Sequence, residues 1–281
     1  MFVRFSVLLG SIFLGQGCAV LSNEEATKKT TAQAPIKNIL FIAIDDLRPE
    51  LKSFGAAHIH SPNIDELAES SRLFFNHFVN SPSCGPSRYS LLTGRYGHYS
   101  NQSIQARGKA LLEGSKQIAP SMPAWFKSHG YTTVSVGKVS HYPGGKIGKN
   151  WDDATQLEMP NSWTKSLMPV GEWGTPKGAM HGLAFGEVRI NASKMSVFQA
   201  VEGDDNIYPD GLITEEAIRQ LQQLSKSPEN PFFLAVGLIR PHLHLAHLKN
   251  ISIYTRGLSS QKILSRINHK IHPLGSTRMS L

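Results

Sequence analysis

"NILFIAIDD", Asn38 to Asp46, is the stretch from which the fold can be read. From Asn38 to Ile44 the residues are almost continuously apolar, without polar alternation. Such a run suits a strand buried on both faces, as in a parallel sheet. Two carboxylates, Asp45 and Asp46, follow at once. The same design recurs twice. "YTTVSVG", Tyr131 to Gly137, is rich in β-branched residues and is followed by Lys138 and His141. "PFFLAVGLI", Pro231 to Ile239, is followed by Arg240, Pro241 and His242.

Helical signals separate these strands. Ser61 stands as N-cap before Pro62 in "SPNIDELAESS". "SMPAWFKSHG" reads as a helix from about Ser121, stopped by Gly130. "YPDGLITEEAIRQLQQL" carries Leu212, Ile213, Ala217, Ile218, Leu221 and Leu224 at helical spacing. "RLFFNHFV", 72–79, reads as a further strand, and 143–206 as loops and short elements. The alternation of strand and helix predicts an α/β fold with a mainly parallel sheet sandwiched by helices. In such sheets ligands sit outside the carboxyl ends of the strands. Asp45, Asp46, Lys138, His141, Arg240 and His242 are therefore expected around one rim.

Composition bounds the rest. The 281 residues carry a net charge of +8. Six basic residues and no acidic ones fall between 248 and 281, which leaves +2 for everything before. The body is nearly neutral, so the charge does not argue for nucleic-acid binding. "MFVRFSVLLGSIFLGQGCAVLSNEE" places Arg4 before an apolar run and then small residues. This is the layout of an export signal, expected over 1–22, with a polar linker over 23–36. Gly17-Cys18 resembles a bacterial lipoprotein cleavage site, so the expected location is periplasmic, secreted or anchored to the cell surface through a lipid at Cys18.

Cys84 is then the one cysteine left in the body, and exported proteins often use cysteine in pairs. Only three residues separate it from Arg88, too few for a tyrosine-phosphatase loop. No second cysteine lies near it for zinc. A buried structural thiol does not account for its neighbours. Pro86 preorganises a turn, Ser87 can cap a helix, and Arg88 offers a planar cation to an oxyanion. Asp45 and Asp46 offer two carboxylates to a hard cation, or simply make a turn or a helix cap. His244 and His247 sit in "HLHLAH", whose alternation is strand-like and argues against a metal cluster there.

The stretch "CGPSRYSLLTGR", Cys84 to Arg95, resembles the signature of the sulfatases: Cys, any residue, Pro, Ser, Arg, then Thr-Gly-Arg. Asp45-Asp46, "GKVSH" and "RPH" follow in the family's order, most like the iduronate-2-sulfatase branch. The resemblance implies an alkaline-phosphatase-like fold and a sulfuric ester hydrolase acting on a sulfated sugar or polysaccharide. It implies that a formylglycine-generating enzyme converts Cys84 to formylglycine. It also implies one Ca²⁺ held by Asp45, Asp46 and the modified Cys84 side chain. Arg88, Lys138 and His242 would bind the metal-side hydroxyl and the sulfate oxygens, and His141 would take a proton as sulfate leaves. A relative cleaving phosphate or phosphonate esters, or a non-catalytic remnant, are the alternatives.

The family completes its metal site with an Asp-His or Asp-Asn pair downstream of "RPH", and it carries a smaller C-terminal subdomain. No acidic residue follows His247. The expectation is a C-terminally truncated chain. Residues 37–247 would be the N-terminal part of a catalytic domain, and 248–281 an aberrant basic tail from a frameshift or misplaced gene boundary. Metal binding and turnover would be impaired accordingly.

Overall fold

The computed structural model describes residues 37–191, 195 and 198–248. The expected export signal with Cys18, the linker and the basic tail beyond Leu248 lie outside the described residues. In chain order the elements are β1 (Ile39–Ile44), α1 (Pro62–Glu69), α2 (Cys84–Thr93), α3 (Gln102–Leu112), α4 (Met122–Ser128), β2 (Thr132–Gly137), β3 (Lys146–Ile147), β4 (Asp153–Leu157), β5 (Lys165–Leu167), α5 (Pro176–Met180), β6 (Phe198–Val201), α6 (Pro209–Leu224), β7 (Phe232–Leu238) and β8 (Leu245–Leu248).

The main sheet has the order β1-β7-β2-β5, and every pairing in it is parallel. The three apolar runs are thus its three long strands, as their composition predicts. β7 lies between β1 and β2 and is buried along its whole length, which is why "FFLAVGL" has no polar residue. Its side chains divide by parity. Phe232, Leu234, Val236 and Leu238 pack with Val134, Val136 and the α6 residues Ile213, Ala217, Ile218 and Leu221. Phe233 and Ala235 face the other way, against Leu92 of α2, Ile104 of α3 and Phe126 of α4. Helices therefore cover both faces. Full burial of each such side chain is worth about 1.5–3 kcal/mol.

β1 is only half-buried, because among the described residues it pairs with β7 alone. The expected strand at 72–79 does not form. Phe74, Phe75, Phe78 and Val79 lie exposed in turns and extended chain. β-propensity acts through cross-strand neighbours, and no described strand pairs with this segment. β6 and β8 make a separate parallel pair that includes His247.

The loop after β2 owes its path to two glycines. Gly137 has φ +78°, and a Cβ there would strike the Gly237 carbonyl and Ile213. A Cβ on Gly237 would in turn strike the Lys138 carbonyl. Neither position admits a side chain, so β2 and β7 meet closely just where Lys138 leaves the sheet.

Candidate active site at the carboxyl ends of β1, β2 and β7

Asp45 begins where β1 ends and is buried; its backbone N–H donates to the Leu238 carbonyl at 3.1 Å. Two buried cations flank it. Arg88 Nη2 donates to Asp45 Oδ1 at 2.8 Å, and Lys138 Nζ donates to Asp45 Oδ2. Arg88 Nη1 also donates to the carbonyls of Lys138 and Val139 at 2.6 and 2.8 Å. One guanidinium thus ties α2 to the end of β2 and to the end of β1. Burial pushes the Asp45 carboxyl up, but Arg88 and Lys138 more than offset this and hold it below the usual carboxylate range. Burial pulls the Lys138 ammonium down, and Asp45 opposes that pull.

Cys84 is the first residue of α2, after the N-cap Ser83. The helix therefore starts before Ser87, which the sequence offered as a cap. Pro86 falls in the first turn, where its missing N–H costs nothing. Cys84 is half-buried, and its Sγ lies 3.4 Å from Nδ1 of His141. Burial, reinforced by the charges of Lys138 and Arg88, lowers the His141 pKa to about 4. His141 is accordingly a neutral base at neutral pH. The helix N-terminus and the two cations make this a place where a bound anion is favoured.

His242 reaches the same rim from the loop after β7. Its Nδ1 lies 2.7 Å from the Leu243 carbonyl. A carbonyl only accepts, so Nδ1 carries the proton and Nε2 of the neutral ring presents a lone pair. That Nε2 lies 4.0 Å from Asp46 Oδ2. Asp46 itself turns outward at φ +57° and is exposed. Ligand atoms of Asp45, Asp46 and His242 fall within 4.8 Å of one another. Two carboxylates and an imidazole suit a divalent cation, and each Asp45 oxygen keeps a lone pair beyond its contact with Arg88 or Lys138. The described residues thus fit a metal as a partial site, with three donors where calcium takes roughly six to eight.

Not every rim residue faces this cluster. Arg240 turns inward instead. Its guanidinium donates to the Gly182 carbonyl at 2.9 Å and contacts His244 Nε2 at 3.0 Å. Asp210, fully buried in the first turn of α6, accepts from the backbone N–H groups of Ile239 and Arg240, both at 2.8 Å. Burial raises its pKa. The Asp210–Arg240 network thus shapes the turn that delivers His242. Glu158 is a second buried carboxylate that the sequence analysis did not single out. Its Oε2 accepts from the Tyr142 N–H at 2.8 Å, directly after His141, and burial raises its pKa to about 7. An acidic residue following Pro209 at a helix start was a signal for Asp210; "QLEMP" carries none for Glu158.

The sequence profile of the Sulfatase family matches residues 37–252. Iduronate 2-sulfatase of Mus musculus is 35% identical over 255 residues, which is 88% of this chain and 41% of that protein. Iduronate 2-sulfatase of Homo sapiens is 33% identical over 246 residues, 85% of this chain and 40% of that protein. The chain therefore spans about two-fifths of the length of these curated relatives. A structure from work on the metabolism of multiple glycosaminoglycans by Bacteroides thetaiotaomicron matches with a TM-score of 0.55 at 22% identity, over 85% of this chain and 60% of that one. That likeness is one of fold.

Proposed function

Since the chain belongs to the sulfatase family, we propose that it carries the nucleophile and anion-binding half of a sulfuric ester hydrolase for a sulfated sugar or polysaccharide. The observation that supports this reading is the meeting of three segments: Cys84 and Arg88 from α2, Lys138 and His141 from the loop after β2, and buried Asp45 from the end of β1. Cys84 is proposed to be the substrate of a formylglycine-generating enzyme during export. The hydrated aldehyde, once formed, supplies one hydroxyl that displaces the alcohol from a sulfate ester and a second whose deprotonation releases sulfate. A bound calcium ion would lower the pKa of the first hydroxyl and polarise the sulfate.

The protein's own side chains do the remaining work. Lys138 is held within the cluster by Asp45, so its ammonium needs no reorganisation to meet the charge that develops on sulfate oxygens. Arg88 fixes Asp45, which would ligate the metal together with Asp46. His141, neutral and 3.4 Å from Sγ, is placed to take a proton from the modified side chain. Nε2 of His242 is free either to join the metal or to hold a sulfate oxygen. The expected rate is low, because only three metal donors converge among the described residues.

The test is sulfate release. Co-expressed with a formylglycine-generating enzyme, the chain should hydrolyse a chromogenic sulfate ester of a sugar faster than the matched phosphate ester. Cys84→Ala should abolish this. Formylglycine found at residue 84 by mass spectrometry without any Cys84-dependent sulfate release would overturn the proposal.

A further inference from the structure

A cavity of about 720 Å³ opens at the end of α2 opposite Cys84, lined by Tyr89 and Thr93 of that helix. At 1.5 Å per residue, Thr93 stands about 14 Å along the helix axis from Cys84. Its lining includes Arg95, His98 and Arg107, and no Asp or Glu is among the described residues that line it.

Arg107 is the decisive group. It is 8% exposed. Its Nη2 donates to the Ala119 carbonyl at 2.9 Å, while Nη1 is buried with no hydrogen-bond partner. The other buried cations have carboxylates: Arg88 and Lys138 share Asp45, and Arg240 lies in the field of Asp210. Among the described residues none makes an ion pair with Arg107. Burial pulls its pKa down. A buried, charged donor left unmatched is costly, and a guanidinium cannot relieve that cost by shedding its proton at ordinary pH. Arg95 lines the same cavity and is exposed, so it can swing toward an entering anion. Two planar guanidinium groups match the paired oxygens of a sulfate or carboxylate.

We propose that this cavity is a second oxyanion-binding site, separate from the Cys84 cluster, in which Arg107 and Arg95 receive a sulfate or carboxylate group. The group could arrive as a free ion or on a sugar chain; only the latter rests on the proposed sulfatase function.

Phenylglyoxal labelling of the full chain, resolved by peptide mass spectrometry, tests it. Sodium sulfate should slow modification of Arg95 several-fold, whereas sodium chloride at equal ionic strength should not. Protection should disappear in Arg107→Met and persist in Lys138→Met, which removes a cation from the Cys84 cluster. Because Arg107→Met removes a buried group, the exposed Arg95→Gln provides a second variant: calorimetry should show sulfate bound about 10-fold more weakly or worse. A sulfated disaccharide that protects at concentrations well below inorganic sulfate would identify a sugar-borne group, and equal potency a free ion. An unsulfated uronate disaccharide reads carboxylate binding. Equal protection by chloride, or protection unchanged in Arg107→Met together with unweakened binding in Arg95→Gln, would overturn the proposal. Neither readout requires turnover, so a failure of sulfate release leaves it standing.

Discussion

At the scale of single residues, Asp45 carries more of the fold than a metal ligand would need to. It neutralises two buried cations that otherwise face each other across β1, α2 and β2. Asp45→Asn should therefore destabilise the protein by about 3–5 kcal/mol, because it strands both charges. Urea unfolding should report the same loss in excess chelator, which separates the ion-pair role from any bound cation. Glu158 makes the opposite kind of contribution. Its pKa is raised from 4.5 to about 7 by burial, so between these values the folded chain holds a proton that the unfolded chain has released. Stability from this group is complete below about pH 4.5 and is lost as pH rises through about 7, by on the order of 3 kcal/mol. Glu158→Gln should remove that decline. The difference between variant and wild-type stability, measured from pH 4.5 to 7.5, should grow steadily; a constant difference would refute the assignment.

At the scale of elements, Gly137 and Gly237 set how β2 meets β7. Gly237→Ala would drive a methyl group into the Lys138 carbonyl, and the sheet would have to part there. A loss of at least about 2 kcal/mol is expected in denaturant titration. The three long strands were legible in the sequence because burial on both faces leaves an unbroken apolar signature. The same logic failed at 72–79. Its aromatic residues fit a strand, but a strand also needs a neighbour, and that information is not local. Rim membership was legible only in part. Asp45, Lys138, His141 and His242 follow strand ends and do converge, whereas Arg240 follows one and turns inward, because Gly182 and His244 offer it partners. Gly182 lies roughly 60 residues away in the sequence, so no spacing rule reveals it.

At the scale of the whole molecule, the sheet is assembled from the two ends of the described chain. Ile39 stands opposite Phe233, and β7 alone joins β1 to β2. Until β7 is made, β1 has no described neighbour, α6 has no complete surface to cover, and Lys138 lacks the framework that brings it to Asp45. That pairing sets a timetable for synthesis. At roughly 5–20 residues per second, the stretch from Cys84 to the end of β7 takes on the order of ten to thirty seconds to emerge. During that interval the proposed modifying enzyme would meet Cys84 before the sheet is complete; in the folded chain Cys84 lies half-buried against His141. For the proposed maturation of Cys84, the order of the strands would work as a clock, holding the window open until the central strand closes it.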